Sequence, residues 1–268
     1  MTMTFSLHEN YEFGGMEIVH EVSSASSGSR KSFSDEIHLF AEKLEVPTFK
    51  NFVKRPRLME VLGKSSAQFG ATLITGRAGT GKTALAAEYA RQYKCVAWLS
   101  ADSADCDWKV FSAYFSAVLT NDFKSREVKK DNYYENSSPD ESEVSSAVET
   151  LLEQFCSAAK DKPNLIVLDD AHHIFDCEWF GAFFNSLLYS LSPESHLLVL
   201  SRGTPSLPLW RLRSKQVLGV LDEKLLAFDI AETRKLFRKT KCSPETVSQA
   251  HAKSFGRVSR LKSLAESL

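Results

Sequence analysis

The run Gly76-Arg77-Ala78-Gly79-Thr80-Gly81-Lys82-Thr83 fits the pattern G-x-x-x-x-G-K-[ST]. Its chemistry is the grip of a phosphate chain. Glycines let the backbone curl with its N–H groups turned inward, where an anion sits. The expected cradle is the backbone from Gly76 through Arg77, Ala78, Gly79, Thr80, Gly81, Lys82 and Thr83 to Ala84. Lys82 is placed to reach β- and γ-phosphates, and the Thr83 hydroxyl to bind Mg²⁺. A second constellation is Asn164-Leu165-Ile166-Val167-Leu168-Asp169-Asp170, an apolar run ending in two acids. Alone it is weak, because many strands end in a polar loop. Downstream of a P-loop it reads as Walker B. Asp169 would hold Mg²⁺, and Asp170 would act as the carboxylate that polarises an attacking water. A third is His196-Leu197-Leu198-Val199-Leu200-Ser201, which delivers Arg202 at its end. Lys82, Asp170 and Arg202 are the candidate catalytic set.

The elements that position these residues follow from periodicity. Ala71-Thr72-Leu73-Ile74-Thr75 is apolar and β-branched, a buried strand before the glycine loop. Lys82 to Tyr93 carries Leu85, Ala86, Tyr89 and Ala90 at helical spacing. Strand, glycine loop and helix is the context the motif requires, and it argues against a chance match. The helix N-terminus adds a positive dipole end at the phosphate position. Cys95 to Ser100, Leu165 to Leu168 and His196 to Ser201 are further buried strands, with a short one at Gln216–Val220. Helical faces lie between them. The expected fold is therefore α/β, a parallel sheet flanked by helices. In such sheets ligands bind at the carboxyl ends of the strands. That edge collects the P-loop, Asp169 and Arg202.

Three stretches have bland readings. Asp102, Asp105 and Asp107 lack the glycine and terminal glutamate of a calcium loop and read as capping acids. His172 and His173 read as hydrogen-bonding neighbours of the Walker B acids, since no tetrahedral ligand spacing surrounds them. Ser138-Pro139-Asp140-Glu141 reads as a serine-capped helix start. Residues 121–140 are polar and read as a loop, and residues 1–45 as a flexible lead-in that buries too little to order itself.

After Gly219 the pattern turns purely helical. Leu207 to Leu268 holds 13 Lys/Arg against 6 Asp/Glu without any DNA-reading motif. The whole chain of 268 residues has a net charge of −1, so it is not an electrostatic nucleic-acid binder. Its five cysteines are scattered and form no C-x-x-C pair, which favours free thiols in a reducing cytoplasm. No apolar run reaches a membrane span, so no membrane partner is expected.

Several blocks in order carry a family resemblance over residues 46–268. They are Val53-Lys54-Arg55-Pro56-Arg57-Leu58, the P-loop, Trp98-Leu99-Ser100-Ala101-Asp102, Phe111-Ser112-Ala113-Tyr114, Leu168-Asp169-Asp170-Ala171-His172 and Leu200-Ser201-Arg202. The chain resembles the nucleotide-binding core of STAND-class P-loop ATPases, as in the maltotriose-responsive and other large LuxR-type bacterial activators. The resemblance implies an ASCE-type sheet with the Arg202 strand between the P-loop and Walker B strands. It implies ATP/ADP exchange with Mg²⁺ as a slow signalling switch, Arg55 near the adenine, and Arg202 sensing the γ-phosphate. It divides the chain into residues 46–220, the nucleotide-binding domain, and 221–268, a helical lid. Arg257 and Arg260 are the next sensors to consider. The family's lid pattern Gly-Trp-Pro-x-Gly-Leu is here Gly256-Arg257-Val258-Ser259-Arg260-Leu261, a departure at the residues that would meet the base. DNA is expected as a partner only through a domain beyond this sequence.

The main rival is an AAA+ type ATPase acting as an oligomeric remodeller or loader, self-associating in the ATP state and needing an arginine from a neighbouring subunit. A P-loop kinase fits less well, because an acid beside the Mg²⁺ ligand suits water activation. A module that holds ADP for structure alone is the fourth reading.

Overall fold

A computed structural model describes residues 37–49, 52–120, 127–128, 139–159, 163–240 and 242–267. All of them belong to the second of two units, Met1–Ser34 and Asp35–Leu268. In order the elements are β1 (Ile37–His38), α1 (Pro56–Gln68), β2 (Ala71–Thr75), α2 (Lys82–Ala90), β3 (Cys95–Ser100) and α3 (Trp108–Thr120). Then come β4 (Glu127–Val128), α4 (Glu141–Ala159), β5 (Asn164–Asp169), α5 (Phe180–Ser190), β6 (Ser195–Ser201) and α6 (Leu209–Ser214). The last are β7 (Leu218–Leu221), α7 (Glu223–Leu226), α8 (Ile230–Leu236), α9 (Pro244–Ser254) and α10 (Val258–Glu266).

Five strands form one all-parallel sheet in the order β3-β5-β6-β2-β7. β6 stands between β2 and β5, the arrangement the resemblance implies. Successive strand residues point to opposite faces. Leu73, Leu99, Ile166, Leu168, Leu197 and Val199 enter a core shared with α3, α4 and α5. Ile74, Trp98, Leu165, Val167, Leu198 and Leu200 enter the opposite core, shared with α1 and α2. Burial on both faces is why these strands read as unbroken apolar runs rather than alternating ones. The C-terminal helices have a third core of their own, built on Phe228, Phe237, Val247, Ala250 and Leu261.

Local signals place most ends. Pro56 occupies the first turn of α1, and Asp229 with Glu232 forms a reciprocal capping box at α8. Asp102 and Asp105 do the same for the short turn after β3, where Lys43 pairs with Asp105 at 2.6 Å.

Four expectations are corrected. First, the N-terminal lead-in does not run unbroken to residue 45. β1 pairs antiparallel with β4, and Leu44 is buried in the first core. Second, the same pairing takes residues 127–128 out of the expected loop; residues 1–36, 121–126 and 129–138 lie outside the described residues. Third, α4 is capped by Asp140, whose Oδ1 accepts from Glu143 N–H at 2.8 Å; Ser138 lies outside the described residues. An acid suits that position because it also meets the helix dipole. Fourth, the cysteines are not all free: Cys106 and Cys177 form a disulfide with Cα atoms 5.6 Å apart, leaving Cys95, Cys156 and Cys242 as thiols. The pair is 71 residues apart in sequence, so no local pattern marks it. It forms because β3 and β5 are sheet neighbours, and the segments following both strands meet at one edge. The cysteine argument for a reducing compartment falls with it.

Candidate phosphate-binding site

The loop between β2 and α2 has the backbone its glycines permit. Gly79 and Gly81 take φ of 77° and 88°, a left-handed region that other residues seldom adopt. At Gly76 a Cβ would press on Thr80 Oγ1 at 3.2 Å and Leu226 Cδ1 at 3.3 Å. Lys82 is buried, and its ammonium donates to the carbonyl of Gly76 at 2.7 Å and that of Arg77 at 3.3 Å. Burial lowers its pKa, and the charges of Asp170 and Asp169 oppose that shift.

β5 brings the two acids to the same edge with different surroundings. Asp169 is buried, and burial reinforced by the charge of Asp170 pushes its pKa up to about 6. Its Oδ1 accepts from the Thr83 hydroxyl at 3.2 Å and from the Asp170 N–H at 2.9 Å. Asp170 is turned outward by a left-handed backbone, φ 50°. Its carboxylate lies 4.0 Å from Arg202 Nε and 3.7 Å from His172 Nδ1. The histidines do not form the expected hydrogen bonds around Walker B. His172 Nδ1 is buried without a hydrogen-bond partner, and the two imidazoles lie 4.3 Å apart at a tilt of 36°.

Lys82, Thr83, Asp170 and Arg202 open on one cavity of about 310 Å³, whereas Asp169 and His172 do not line it. Lys82, Thr83, Asp170, Arg202 and Lys262 line its polar part. Phe49, Phe52, Val53, Phe228, Leu236 and Val258 line its apolar part. A phosphate chain fits the first by charge, and a flat ring the second by apolar contact. The donor set also fits Mg²⁺: one hydroxyl beside one carboxylate leaves most positions to water and ligand phosphates, which is how that ion is commonly held. Among the described residues no group of three His, Cys, Asp or Glu could hold a metal by itself.

Arg55 also lines the cavity, but its guanidinium is engaged elsewhere. It pairs with buried Glu232 at 3.2 Å, donates to the Leu226 carbonyl at 2.8 Å and lies over the Phe228 ring at 4.6 Å. Its role here is to tie the start of α1 to α7 and α8. Arg77 points away from the loop's interior: its side chain grips Glu223 at 2.7 Å, and its N–H donates to the same carboxylate at 3.1 Å. The start of α10 docks on the loop. Ser259 N–H donates to the Gly79 carbonyl at 3.0 Å, and Arg257 Nη2 to the Ala78 carbonyl at 2.7 Å. Neither Arg257 nor Arg260 lines this cavity, so the lid cation that does is Lys262. Sequence reasoning missed Lys262, Glu223 and the phenylalanines. Lys262 lies one helical turn beyond Val258, a signal visible only once the inner face of α10 is known.

Three comparisons bear on identity. A family model described as the AAA ATPase domain matches residues 55–224. The HTH-type transcriptional regulator MalT of Yersinia pestis (strain Pestoides F) is 30% identical over 215 residues, covering 77% of this chain and 22% of the regulator. The regulator of the same name from Vibrio parahaemolyticus is 25% identical over 191 residues, covering 70% of this chain and 20% of the regulator. The chain thus spans about a fifth of the length of these curated relatives. A solved Signal Transduction ATPase with Numerous Domains (STAND) protein with a tetratricopeptide repeat sensor, from Pyrococcus horikoshii, superposes with a TM-score of 0.53 at 18% identity. The match covers 80% of this chain and 30% of that one. By the matched span, and by a P-loop, Walker B strand and strand order that agree with it, the chain belongs to the AAA ATPase domain family.

Proposed function

We propose that this chain is an ATP-binding, slowly hydrolysing switch, the ATPase core of a transcriptional regulator. Residues 46–220 act as the nucleotide-binding domain and 221–268 as a helical lid. The observation that carries the reading is the direct contact between the two: α10 bonds to the carbonyls of Ala78 and Gly79, in the loop that would hold the phosphates. A nucleotide in the cradle therefore acts on the lid through one layer of backbone. Bacterial regulators with similar sequence support the regulatory setting; contact with DNA would come through another domain, in the cytoplasm.

The geometry supports a role for each residue. Lys82 leaves the Gly76 carbonyl for the β- and γ-phosphates. Thr83 and Asp169 would hold Mg²⁺, which would neutralise phosphate charge when bound. Asp170, outward-facing and more open than Asp169, orients the attacking water. Arg202 meets the γ-phosphate, which ADP lacks. Only such differential contact shifts a two-state equilibrium. Phe228 and Val258 cover the base where the family's lid pattern is absent.

Arg202→Ala tests the switch. A charge-assisted hydrogen bond is worth about 1.5–3 kcal/mol, so ATP affinity should fall roughly tenfold or more. ADP affinity should stay nearly unchanged. Calorimetric titration showing equal losses for both nucleotides would make Arg202 structural and remove the sensor.

A further inference from the structure

A second cavity, of about 530 Å³, shares no lining residue with the first. The P-loop and the start of α10 form the partition between them. Ala78, Gly79 and Gly81 line the first cavity, whereas Arg77 and Thr80 line the second. On α10, Val258, Ser259 and Lys262 line the first, with Arg257 and Arg260 on the second. The hydrogen bonds from Ser259 to Gly79 and from Arg257 to Ala78 close this partition.

The second cavity has a largely apolar wall with cations set around it. Arg77, Lys224, Arg257 and Arg260 line it against one acid, Glu223. That acid is already held by Arg77 at 2.7 Å. Lys224 and Arg260 pair with no acid among the described residues, and Arg257 keeps a buried Nε without a partner. That nitrogen has no accessible surface, so the unpaired cations a ligand in the cavity could meet are the exposed Lys224 and Arg260. Beside the arginines Phe255 is 82% exposed and has φ 53°. A left-handed backbone is uncommon for an aromatic residue, and an exposed ring forgoes the burial it favours. The left-handed backbone ends α9 as its C-cap, so only the exposure of the ring lacks a structural reason. An exposed ring is understandable where it has a ligand to cover.

We infer that this cavity is a second ligand site, for a small aromatic phosphate monoester. The volume lies in the range of small-molecule pockets, about 300–1,000 Å³. Arginine forks suit a phosphate dianion, and Phe255 supplies an apolar face for its ring. The site does not depend on the nucleotide reading of the first cavity. It does touch it, because a phosphate here competes with Glu223 for Arg77, and that pair joins the P-loop to α7.

The probe is para-fluorophenyl phosphate, titrated into the full chain and followed by fluorine NMR. The wild type should bind it saturably. Lys82→Ala, which disables the P-loop, should bind it within about twofold of wild type. Arg260→Glu should weaken it by about tenfold or more, as loss of a charge-assisted contact requires. Arg260→Gln should repeat the loss, and serves if the charge reversal disturbs folding. Phe255→Asn should also weaken binding while melting no lower than wild type, since asparagine accepts the left-handed backbone. Absence of saturable binding by wild type overturns the site. So does binding lost in Lys82→Ala but kept in Arg260→Glu, which would put the probe on the P-loop. Binding unchanged in both Arg260→Gln and Phe255→Asn overturns it as well, and tighter binding of para-fluorobenzoate overturns the phosphate assignment.

Discussion

Asp169 and Asp170 are adjacent in sequence and chemically unlike. The first is buried, bonded to Thr83 and raised to about 6; the second stands outward beside Arg202 and His172. A carboxylate held among fixed donors suits a cation, and one with open access suits a water. Asp170→Asn tests the division. Asparagine tolerates the left-handed backbone that Asp170 adopts, so the loop should keep its shape. Nucleotide binding should stay near normal while hydrolysis falls by ~10²-fold or more, the scale of general-base catalysis. Hydrolysis at the wild-type rate, measured as phosphate release, would move the base elsewhere.

At the scale of elements, two buried contacts join pieces that sequence leaves far apart. Arg55 and Glu232 tie α1 to α8, both with almost no exposure. Glu232 also closes the capping box of its own helix. Glu232→Gln strands the Arg55 charge in the interior, and breaking such a pair costs about 3–5 kcal/mol. Urea unfolding should show that loss; a change under about 1 kcal/mol would mean the pair is not buried in solution. The second contact is His196 on β6, which bonds to the Phe69 carbonyl at 3.1 Å and Thr72 Oγ1 at 3.0 Å. Burial pushes its pKa down to about 4. The unfolded chain, with an ordinary histidine near pH 6.5, binds the proton first. Stability contributed by neutral His196 is therefore complete above about pH 6.5 and is lost as pH falls towards 4, by on the order of 3 kcal/mol. His196→Gln cannot titrate, so the difference between variant and wild-type stability should shrink or reverse over that window. A difference independent of pH would show that His196 is not buried as a neutral group.

At the scale of the whole molecule, the Cys106–Cys177 bridge spans 71 residues and joins the segments after β3 and β5. Bridges of that reach contribute about 2–4 kcal/mol, chiefly by restricting the unfolded chain. Thermal unfolding with and without a thiol reductant should show a lower midpoint after reduction. The Cys106→Ser, Cys177→Ser double variant should match the reduced protein and ignore the reductant. A wild type insensitive to reduction would mean that the bridge is not closed in solution.

What the sequence determined alone was whatever a window of about ten residues encodes. The P-loop pattern, the runs into Asp169 and Arg202, and the Asp229 capping box express local sterics, hydrogen bonding and periodicity, and all are read without a partner. The parallel sheet was legible because its strands are apolar on both faces, and the strand order because a family resemblance carried it. Other features were decided only by tertiary structure. The resemblance implies Arg55 near the adenine; the fold sets Arg55 in the cavity wall and ties its guanidinium to Glu232, 177 residues away. Residues 37–45 read as a lead-in by composition, yet Leu44 finds a core assembled from distant helices. Arg257, Arg260 and Lys262 are equivalent as charges in a string. Only the docking of α10 on Gly79 sends two of them to one cavity and the third to the other. Such contacts depend on which strands become neighbours and which helix face turns inward, and no single segment carries that information.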